Sequence, residues 1–497
     1  MKRIVTISTL RLPSLKAGAC SALTLSGAFL PRLQRRGLTP SNGSGWGRNF
    51  LLIIVFLLNS SLEALPFRAA LGEEKKSQIL TLEEALRITA EKNRDIQKAR
   101  EYRNQVEGRY VEERAAALPQ LVITSQATNA RDESLKAYGG FFPVQQKFRS
   151  AELGLSQALF TWGQIGAGIR AAKVGIATAD DQLRIFRQAA FRDVSASFYD
   201  ILLAKALNAI AIQNLEQKIR HYDEARKKHS AGVATDYDVL VGKVAVENAR
   251  PDVIRTENLI RISRENLRFL LGFDQEVDIK GSLETTIASY PEYEDVVDLA
   301  MKNRPELSDL RHRIEVANEL VKIANAGDKP RLDLRAGYGF RDLDLGPDLH
   351  GNGGAWSAGL FITYPVFDGL RARGQVAQAK SRVTTLKIEE AKLLDSIRLE
   401  VRDACNAVRE AGEIVKALSG TVGQAERLLY MAEKGYEYGV KTKLDVDDAE
   451  LNLVQAKGNL ARAKRDYLVA CVNLERATGM LGEKEKTQTS KLKDKSR

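Results

Sequence analysis

The stretch GVKTKLDVDDA, residues 439–449, has a counterpart 207 positions earlier, GVATDYDVL at 232–240. Other landmarks keep nearly the same offset: Leu118-Pro119 corresponds to Lys329-Pro330, and Leu159-Phe160 corresponds to Val366-Phe367. A repeat of this length is too long for a solenoid and indicates a duplicated domain. The content of one unit therefore predicts the fold of both.

Each half is predicted to begin with a helical segment and a β-hairpin. The helical segments cover 81–117 and 291–326, and a proline follows each of them. Apolar residues then alternate with polar or small ones, most clearly at Leu334, Ala336, Tyr338 and Phe340. We expect four strands of about ten residues, which suits a tilted crossing of an outer membrane. Polar loops are expected at 129–149 and 341–354.

Two very long helical segments complete each half. They are predicted at 164–230 and 235–271, and again at 370–437 and 443–479, with turns at Gly232 and Gly439. Glycine permits the left-handed backbone that a sharp turn between helices needs. The heptad spacing of packed helices is clearest at Leu394, Ile397, Val401, Ala404, Val408, Ala411, Val415 and Leu418.

Four strands are too few to close a barrel, and open strand edges do not occur in lipid. If these strands lie in a membrane, several copies of the chain must combine theirs. A soluble β-sandwich also has alternating strands, but four strands are few for a chain of 497 residues. The sequence thus predicts a mainly α protein with a small β part, internally duplicated and oligomeric.

The net charge of +11 comes from the two ends of the chain. Of 75 basic and 64 acidic residues, 15 and 4 lie in residues 1–70 and 483–497, which leaves 60 of each in the body. A neutral body gives no support to nucleic-acid binding. The four histidines lack metal-ligand spacing, and no phosphate-binding loop or nucleophile motif is present, so no enzyme, cofactor or metal site is predicted.

The apolar run Phe50–Leu58 follows several arginines and precedes small residues. It is too short to span a bilayer, so we interpret residues 1–70 as an extension with an export signal; a membrane anchor is the alternative. An oxidising compartment would permit a disulfide between Cys405 and Cys471. Because a disulfide requires a narrow geometry, we favour the alternative that both are unpaired, buried helix residues.

Three motifs, in this order, are similar to the TolC-like outer-membrane efflux protein family: Gly232–Leu240, Pro365–Gly369 and Gly439–Ala449. The resemblance covers nearly all of residues 80–482. It implies a homotrimer in the outer membrane of a Gram-negative bacterium. Each protomer would give four strands to a twelve-stranded β-barrel and its long helices to a coiled-coil α-barrel in the periplasm.

The resemblance also implies the function and the partners. The chain would be a channel without enzymatic activity, the exit duct of a tripartite efflux pump or a type I secretion system. A periplasmic adaptor would join it to an inner-membrane transporter, and outer-membrane lipid would surround its barrel. Two alternatives lack a pore: a periplasmic adaptor, which needs a strand-rich lipoyl-like domain that we do not find, and a structural coiled-coil protein.

The same resemblance implies a role for three acidic residues at the entrance of the tunnel. Asp445 and Asp448 match paired acids that ring the tunnel entrance, and Asp447 is a further acid beside them. Repeated by symmetry, they would concentrate negative charge and favour cations. For Asp445, the alternative role is a favourable interaction with the dipole of the helix that it begins.

Three other residues match positions whose contacts keep the family's tip closed: Asp238, Tyr436 and Lys441. Lys441 stands where the family usually has arginine, so the pair of parallel hydrogen bonds that a guanidinium group can donate is lost. Tyr237 stands where threonine is familiar, so the closing contacts would be rearranged. Asp238 has the same alternative role at a helix N-terminus as Asp445.

The predicted organisation has five parts. They are the extension and export signal at 1–70, a first repeat at 80–272, an inter-repeat equatorial segment at 273–290, a second repeat at 291–479 and a charged, disordered tail at 480–497.

Overall fold

A computed structural model describes residues 78–139, 144–284, 286–287, 292–344 and 350–482. The predicted export signal at 1–70 and residues 483–497 of the predicted tail lie outside the described residues.

The first repeat contains three strands and four helices in the described part of the chain. In order they are β1 (Gln78–Leu80), α1 (Leu82–Lys92), α2 (Arg94–Ala115), β2 (Gln120–Arg131), β3 (Gln145–Phe160), α3 (Gln164–Ser230) and α4 (Asp236–Leu271), with a short 3-10 helix at Glu133–Tyr138. After β4 (Val277–Ile279), the second repeat contains α5 (Tyr293–Asn303), α6 (Pro305–Asn325), β5 (Arg331–Asp344), β6 (His350–Thr363), α7 (Arg371–Glu437) and α8 (Lys443–Ala477). The mainly α fold with a small, duplicated β part is confirmed.

Each predicted N-terminal helical segment is divided into two helices by a break that the sequence analysis did not predict. Asn93 has an extended backbone, and its side chain accepts hydrogen bonds from the backbone N–H groups of Asp95 and Ile96. It therefore ends α1 and caps α2. Arg304 occupies the equivalent place and is also extended, as a residue before proline tends to be.

A glycine at the end of each repeat packs closely against the break between the two helices. Gly272 and Gly479 have positive φ angles of 63° and 74°. A Cβ atom on Gly272 would lie 2.6 Å from the carbonyl oxygen of Lys92, and one on Gly479 would lie 2.7 Å from that of Asn303. Glycine is thus required at each position for two reasons: the backbone has a positive φ angle, and the neighbouring backbone leaves no room for a Cβ atom.

The four long strands form one antiparallel sheet in the order β2-β3-β5-β6. In its register, Leu153 pairs with Ile123 on one side and with Tyr338 on the other, and Tyr338 also pairs with Trp356. The strands contain 12 to 16 residues and continue into the predicted loops. The expected length was therefore too short, because the polar residues at these strand ends still form ladder hydrogen bonds.

The long helices pair as two hairpins, α3 with α4 and α7 with α8. Both α3 and α7 contain 67 residues, which corresponds to about 100 Å. The predicted seam is confirmed: Ile397 and Val401 are fully buried, and Val408 and Val415 pack against Tyr467. An 18-residue window of α3 has a mean hydropathy of 1.3 and could cross a membrane by length and composition alone, but α3 packs along α4, α6 and α8.

Cys405 and Cys471 are free thiols on α7 and α8. Burial raises the pKa of both. The disulfide that an oxidising compartment would permit is not formed; both thiols are unpaired, as the alternative expected, but only half-buried.

The inter-repeat segment contains a strand that the sequence analysis did not predict. β4 pairs in parallel with β1, with Ile79 opposite Asp278. The pair packs on a core that includes Phe198, Ile201 and Leu267. The start of the described chain is therefore fixed to the link between the repeats.

Candidate functional site

One face of the sheet is a continuous apolar surface across all four strands. Because side chains alternate along a strand, the register brings these residues to the same face: Leu121, Ile123, Leu153, Leu155, Ala336, Tyr338, Phe340, Trp356, Ala358, Leu360 and Ile362. Trp356 is 79% exposed and Ile123 is 77% exposed. Exposure of large apolar side chains in a contiguous patch marks a surface made for an apolar environment.

The apolar band ends where ion pairs begin. Toward the ends of β3 and β5 that lie farthest from the helices, Arg149 pairs with Asp342 at 3.6 Å and Lys147 with Asp344 at 3.3 Å. From Leu332 to Phe340 the band spans about 27 Å along the strand. Tilted by about 40°, it would be about 20 Å tall, close to the apolar band of an outer-membrane barrel.

Most residues on the opposite face of the sheet are polar or small; the larger apolar ones are Val122, Phe148, Leu343 and Phe361. Glu152 accepts a hydrogen bond from Arg341 at 3.5 Å and lies over Gly337, where a Cβ atom would clash with its carboxylate. Arg335 lies over the ring of Phe361 at 5.0 Å. A face of this kind suits contact with water. The apolar face therefore fits contact with lipid, and this face fits a water-filled lumen.

Both predicted hairpin turns lie at the end farthest from the sheet along each helix. Gly232 and Gly439 have φ angles of 76° and 72°. The backbone N–H of Val233 donates to the carbonyl oxygen of Lys228, and that of Val440 donates to Gly435. These bonds close the last turns of α3 and α7. We refer to these two turns and the helix ends beside them as the tip.

A capping box follows each turn, and it uses two of the predicted site residues. The carboxylate of Asp238 accepts hydrogen bonds from the backbone and hydroxyl of Thr235, and that of Asp445 does the same with Thr442. These bonds lower the pKa of both aspartates. The alternative role, as acids at a helix N-terminus, therefore describes what both residues do within the protomer.

Lys441 and Tyr436 each contact a residue of the same protomer. Lys441 Nζ lies 3.3 Å from Asp445, one turn along the chain. Lys228 Nζ lies 5.5 Å from the centre of the Tyr436 ring and so joins α3 to α7. Within the described protomer, neither residue bonds to Asp238; contacts between neighbouring copies stay a prediction.

The three acids differ in how much of their charge is available. Asp447 pairs with Lys218 at 3.1 Å and with Lys443 at 3.4 Å. Asp445 is bonded to its cap and to Lys441. Asp448 is exposed and makes no hydrogen bond or ion pair to any other described residue. Of the three, Asp448 is the one whose charge is uncompensated.

Sequence reasoning missed a buried carboxylate near the tip. Glu450 on α8 is 2% exposed. It accepts hydrogen bonds from Gln217 at 2.7 Å and Lys218 at 2.6 Å, and His221 Nε2 lies 2.5 Å away. Burial alone would raise its pKa, but the hydrogen bonds from His221 and Lys218 and the charge of Lys218 lower the pKa from 4.5 to about 2. Glu450 lies four residues after Val446 and three before Leu453, so it shares a helix face with them; this spacing was the available signal.

No group of three or more His, Cys, Asp or Glu side chains among the described residues is arranged to hold a metal ion.

Comparison with known proteins agrees with this geometry. The profile of the family described as outer membrane efflux protein matches residues 85–273 and 296–480, one segment in each repeat. The chain belongs to the outer membrane efflux protein family. The two matched segments also confirm the duplication, and membership of this family confirms the predicted location in the outer membrane.

Two relatives and one solved structure are similar to the chain over most of its length. The probable efflux pump outer membrane protein TtgC of Pseudomonas putida is 24% identical over 402 residues, which cover 80% of this chain and 82% of TtgC. The alkaline protease secretion protein AprF of Pseudomonas aeruginosa is 25% identical over 381 residues, covering 74% and 78%. The crystal structure of the CmeC outer membrane channel of Campylobacter jejuni shares the fold, with a TM-score of 0.70 at 17% identity, over 84% of this chain and 90% of CmeC.

Proposed function

We propose that the chain is the outer-membrane exit duct of a tripartite efflux pump or a type I secretion system, and that it works as a homotrimer. The duct passes substrates from a transporter–adaptor complex across the periplasm and the outer membrane. The observation that carries the proposal is an open sheet, apolar on one face and polar on the other, continued by 67-residue helices.

The open edges of the sheet support an assembly of several copies. Among the described strands of this sheet, β2 and β6 each have one neighbour. A row of unpaired backbone N–H and C=O groups is too costly in lipid. The β2 edge of one copy and the β6 edge of the next would therefore pair and close a ring.

The need for a lumen supports three copies rather than two. Two copies would supply eight strands, and side chains fill the interior of an eight-stranded barrel. Three copies would supply twelve strands and leave an aqueous passage lined by the polar face of Glu152, Arg335 and Arg341.

The tip supports the proposed partners. It exposes Val233 and Val440, at 77% and 80%, beside many charged side chains. A periplasmic adaptor, itself bound to an inner-membrane transporter, would dock on this end. The three copies of Asp448 would form the acidic ring at the entrance, with Asp445 beside them. Contacts of Asp238, Tyr436 and Lys441 with a neighbouring copy would then close it.

The alternatives without a pore are less well supported. A periplasmic adaptor or a structural coiled-coil protein has no use for eleven outward apolar residues on one sheet face. Family membership fits a channel rather than an enzyme.

Fractionation of the full chain tests the proposal. The protein should be recovered with the outer membrane, migrate as a trimer in mild detergent and conduct ions in a planar bilayer. Recovery as a soluble periplasmic monomer would refute the assignment.

Two neighbouring substitutions on β6 test the two faces. Ala358 lies on the apolar face, and Ser357 lies on the polar face, opposite Gly337. Arginine on the lipid face near mid-membrane costs about 2–4 kcal/mol, whereas a lumen residue is tolerated. Ala358→Arg should sharply reduce the amount of trimer in the membrane, and Ser357→Arg should not. Equal insertion of the two variants would remove the lipid assignment of this face.

A further inference from the structure

The buried carboxylate of Glu450 joins the two repeats a short way above the tip. Its three partners, Gln217, Lys218 and His221, all lie on α3, whereas Glu450 lies on α8. Lys218 also bonds to Asp447, one helical turn before Glu450. Every bond from α3 in this cluster therefore crosses from the hairpin of the first repeat to the hairpin of the second.

The cluster lies close enough to the tip to resist its opening. At about 1.5 Å per residue, Lys218 lies about 18 Å from the end of α3, and Glu450 lies about 10 Å from the start of α8. A motion that opens the tip by separating the two hairpins would pull α3 away from α8 at this level. That motion would leave a carboxylate and an ammonium group without their partners, which is costly where water is scarce.

The cluster is absent from the other copy of the repeat. The 207-residue offset places Ala425 at the equivalent of Lys218, Leu428 at that of His221 and Lys243 at that of Glu450. Within the described protomer, α7 and α4 make no extensive contact, so the second copy of the repeat has no equivalent link between hairpins. Packing of a helical hairpin does not by itself require the cluster, since the related unit is built without it.

We propose that Lys218, His221 and Glu450 form a latch between α3 and α8 that opposes opening of the tip. The latch rests on the proposed function, since it requires a duct whose tip opens. It acts inside each protomer, so three latches must be released in a trimer. Gln217 adds a neutral hydrogen bond to the same carboxylate.

The test compares trimers in planar bilayers. Glu450→Gln and Lys218→Met each remove one side of the link, and each should raise the ratio of open to closed states on the order of tenfold. The double variant should show little more than either single one, because both changes break the same link. Lys218→Arg keeps the charge and the donors and should behave like the wild type.

A matched control removes a carboxylate from a link inside one hairpin. Glu426 on α7 pairs with Lys457 on α8 at 3.3 Å, so this bond does not join the two repeats. Glu426→Gln should leave the open-to-closed ratio unchanged. A rise equal to that of Glu450→Gln would show that general loosening of the helices explains the effect, and it would overturn the latch.

Thermal unfolding of the same trimers separates the remaining outcomes. If Lys218 and Glu450 are coupled in a double-mutant cycle of melting temperatures but conductance does not change, the cluster is a structural element and the latch is wrong. If Glu450→Gln fails to assemble, His221→Gln removes a milder part of the link and should give a smaller rise in opening; no rise would overturn the latch. If the wild type forms no pore, the proposed function itself fails.

Discussion

Replacing Gly479 with alanine should destabilise the protein strongly for so small a change. Gly479 follows α8 with a φ angle of 74°. The added Cβ would lie 2.7 Å from the carbonyl oxygen of Asn303 and 2.9 Å from the backbone nitrogen of Arg304. Both are backbone atoms at the break between α5 and α6, so no flexible side chain can move aside.

Two costs add in this substitution. A left-handed backbone costs a residue with a Cβ about 1–2 kcal/mol, and the overlap with backbone atoms costs about 1–3 kcal/mol. We therefore expect a loss of about 2–5 kcal/mol in the free energy of unfolding. An unfolding entropy of about 2.1 cal/mol/K per residue, over roughly 400 described residues, converts this loss into a fall of about 2–6 °C in the melting temperature.

The assay is the loss of helical circular dichroism on heating, for trimers in the same detergent. Gly272→Ala should show a similar fall, because Gly272 meets the carbonyl oxygen of Lys92 in the same way. Gly108→Ala is the control: it lies inside α2 with open space around it, and alanine should stabilise that helix by about 0.5–1 kcal/mol. A melting temperature of Gly479→Ala within about 1 °C of the wild type would refute this reasoning, since 1 °C corresponds to less than about 1 kcal/mol here.

The remaining predictions concern charged side chains. Asp448→Asn should reduce the cation preference of the pore more than Asp445→Asn, because Asp445 is already bonded to its helix cap; reversal potentials under a salt gradient measure this, and equal effects would contradict it. Glu450 contributes stability above pH 4.5 that is lost as the pH falls toward its folded pKa of about 2, a contribution of about 3 kcal/mol. Wild type and Glu450→Gln should therefore converge in melting temperature at low pH, and a constant difference would count against this. Burial raises the pKa of Asp309 above 3.8, so its contribution to stability is lost as the pH rises through the folded pKa. Asp309→Asn should lose less stability than the wild type as the pH rises above 3.8, and an unchanged pH dependence would argue that Asp309 is not the group responsible.

Sustained local patterns made the long elements predictable. The helix expected at 164–230 is found at Gln164–Ser230, because its periodicity extends over many turns and a glycine marks its end. The heptad seam around Ile397 was equally clear. Short or polar segments were less predictable: the break at Asn93 needs only one capping side chain, and the outer ends of β2 and β3 are held by backbone bonds to a partner strand rather than by an apolar pattern.

The sequence by itself determined the duplication, the two hairpin turns at Gly232 and Gly439, and the amphipathic strands, since each of these is written in neighbouring residues. Only the tertiary structure decided which carboxylates are paired with a cation and which are not. Glu450 and Lys218 are separated by 232 positions, and Glu450 is buried because α3 packs on α8. The environment of a carboxylate depends on what surrounds it in space, so spacing along the chain could not distinguish the paired Asp447 from the free Asp448.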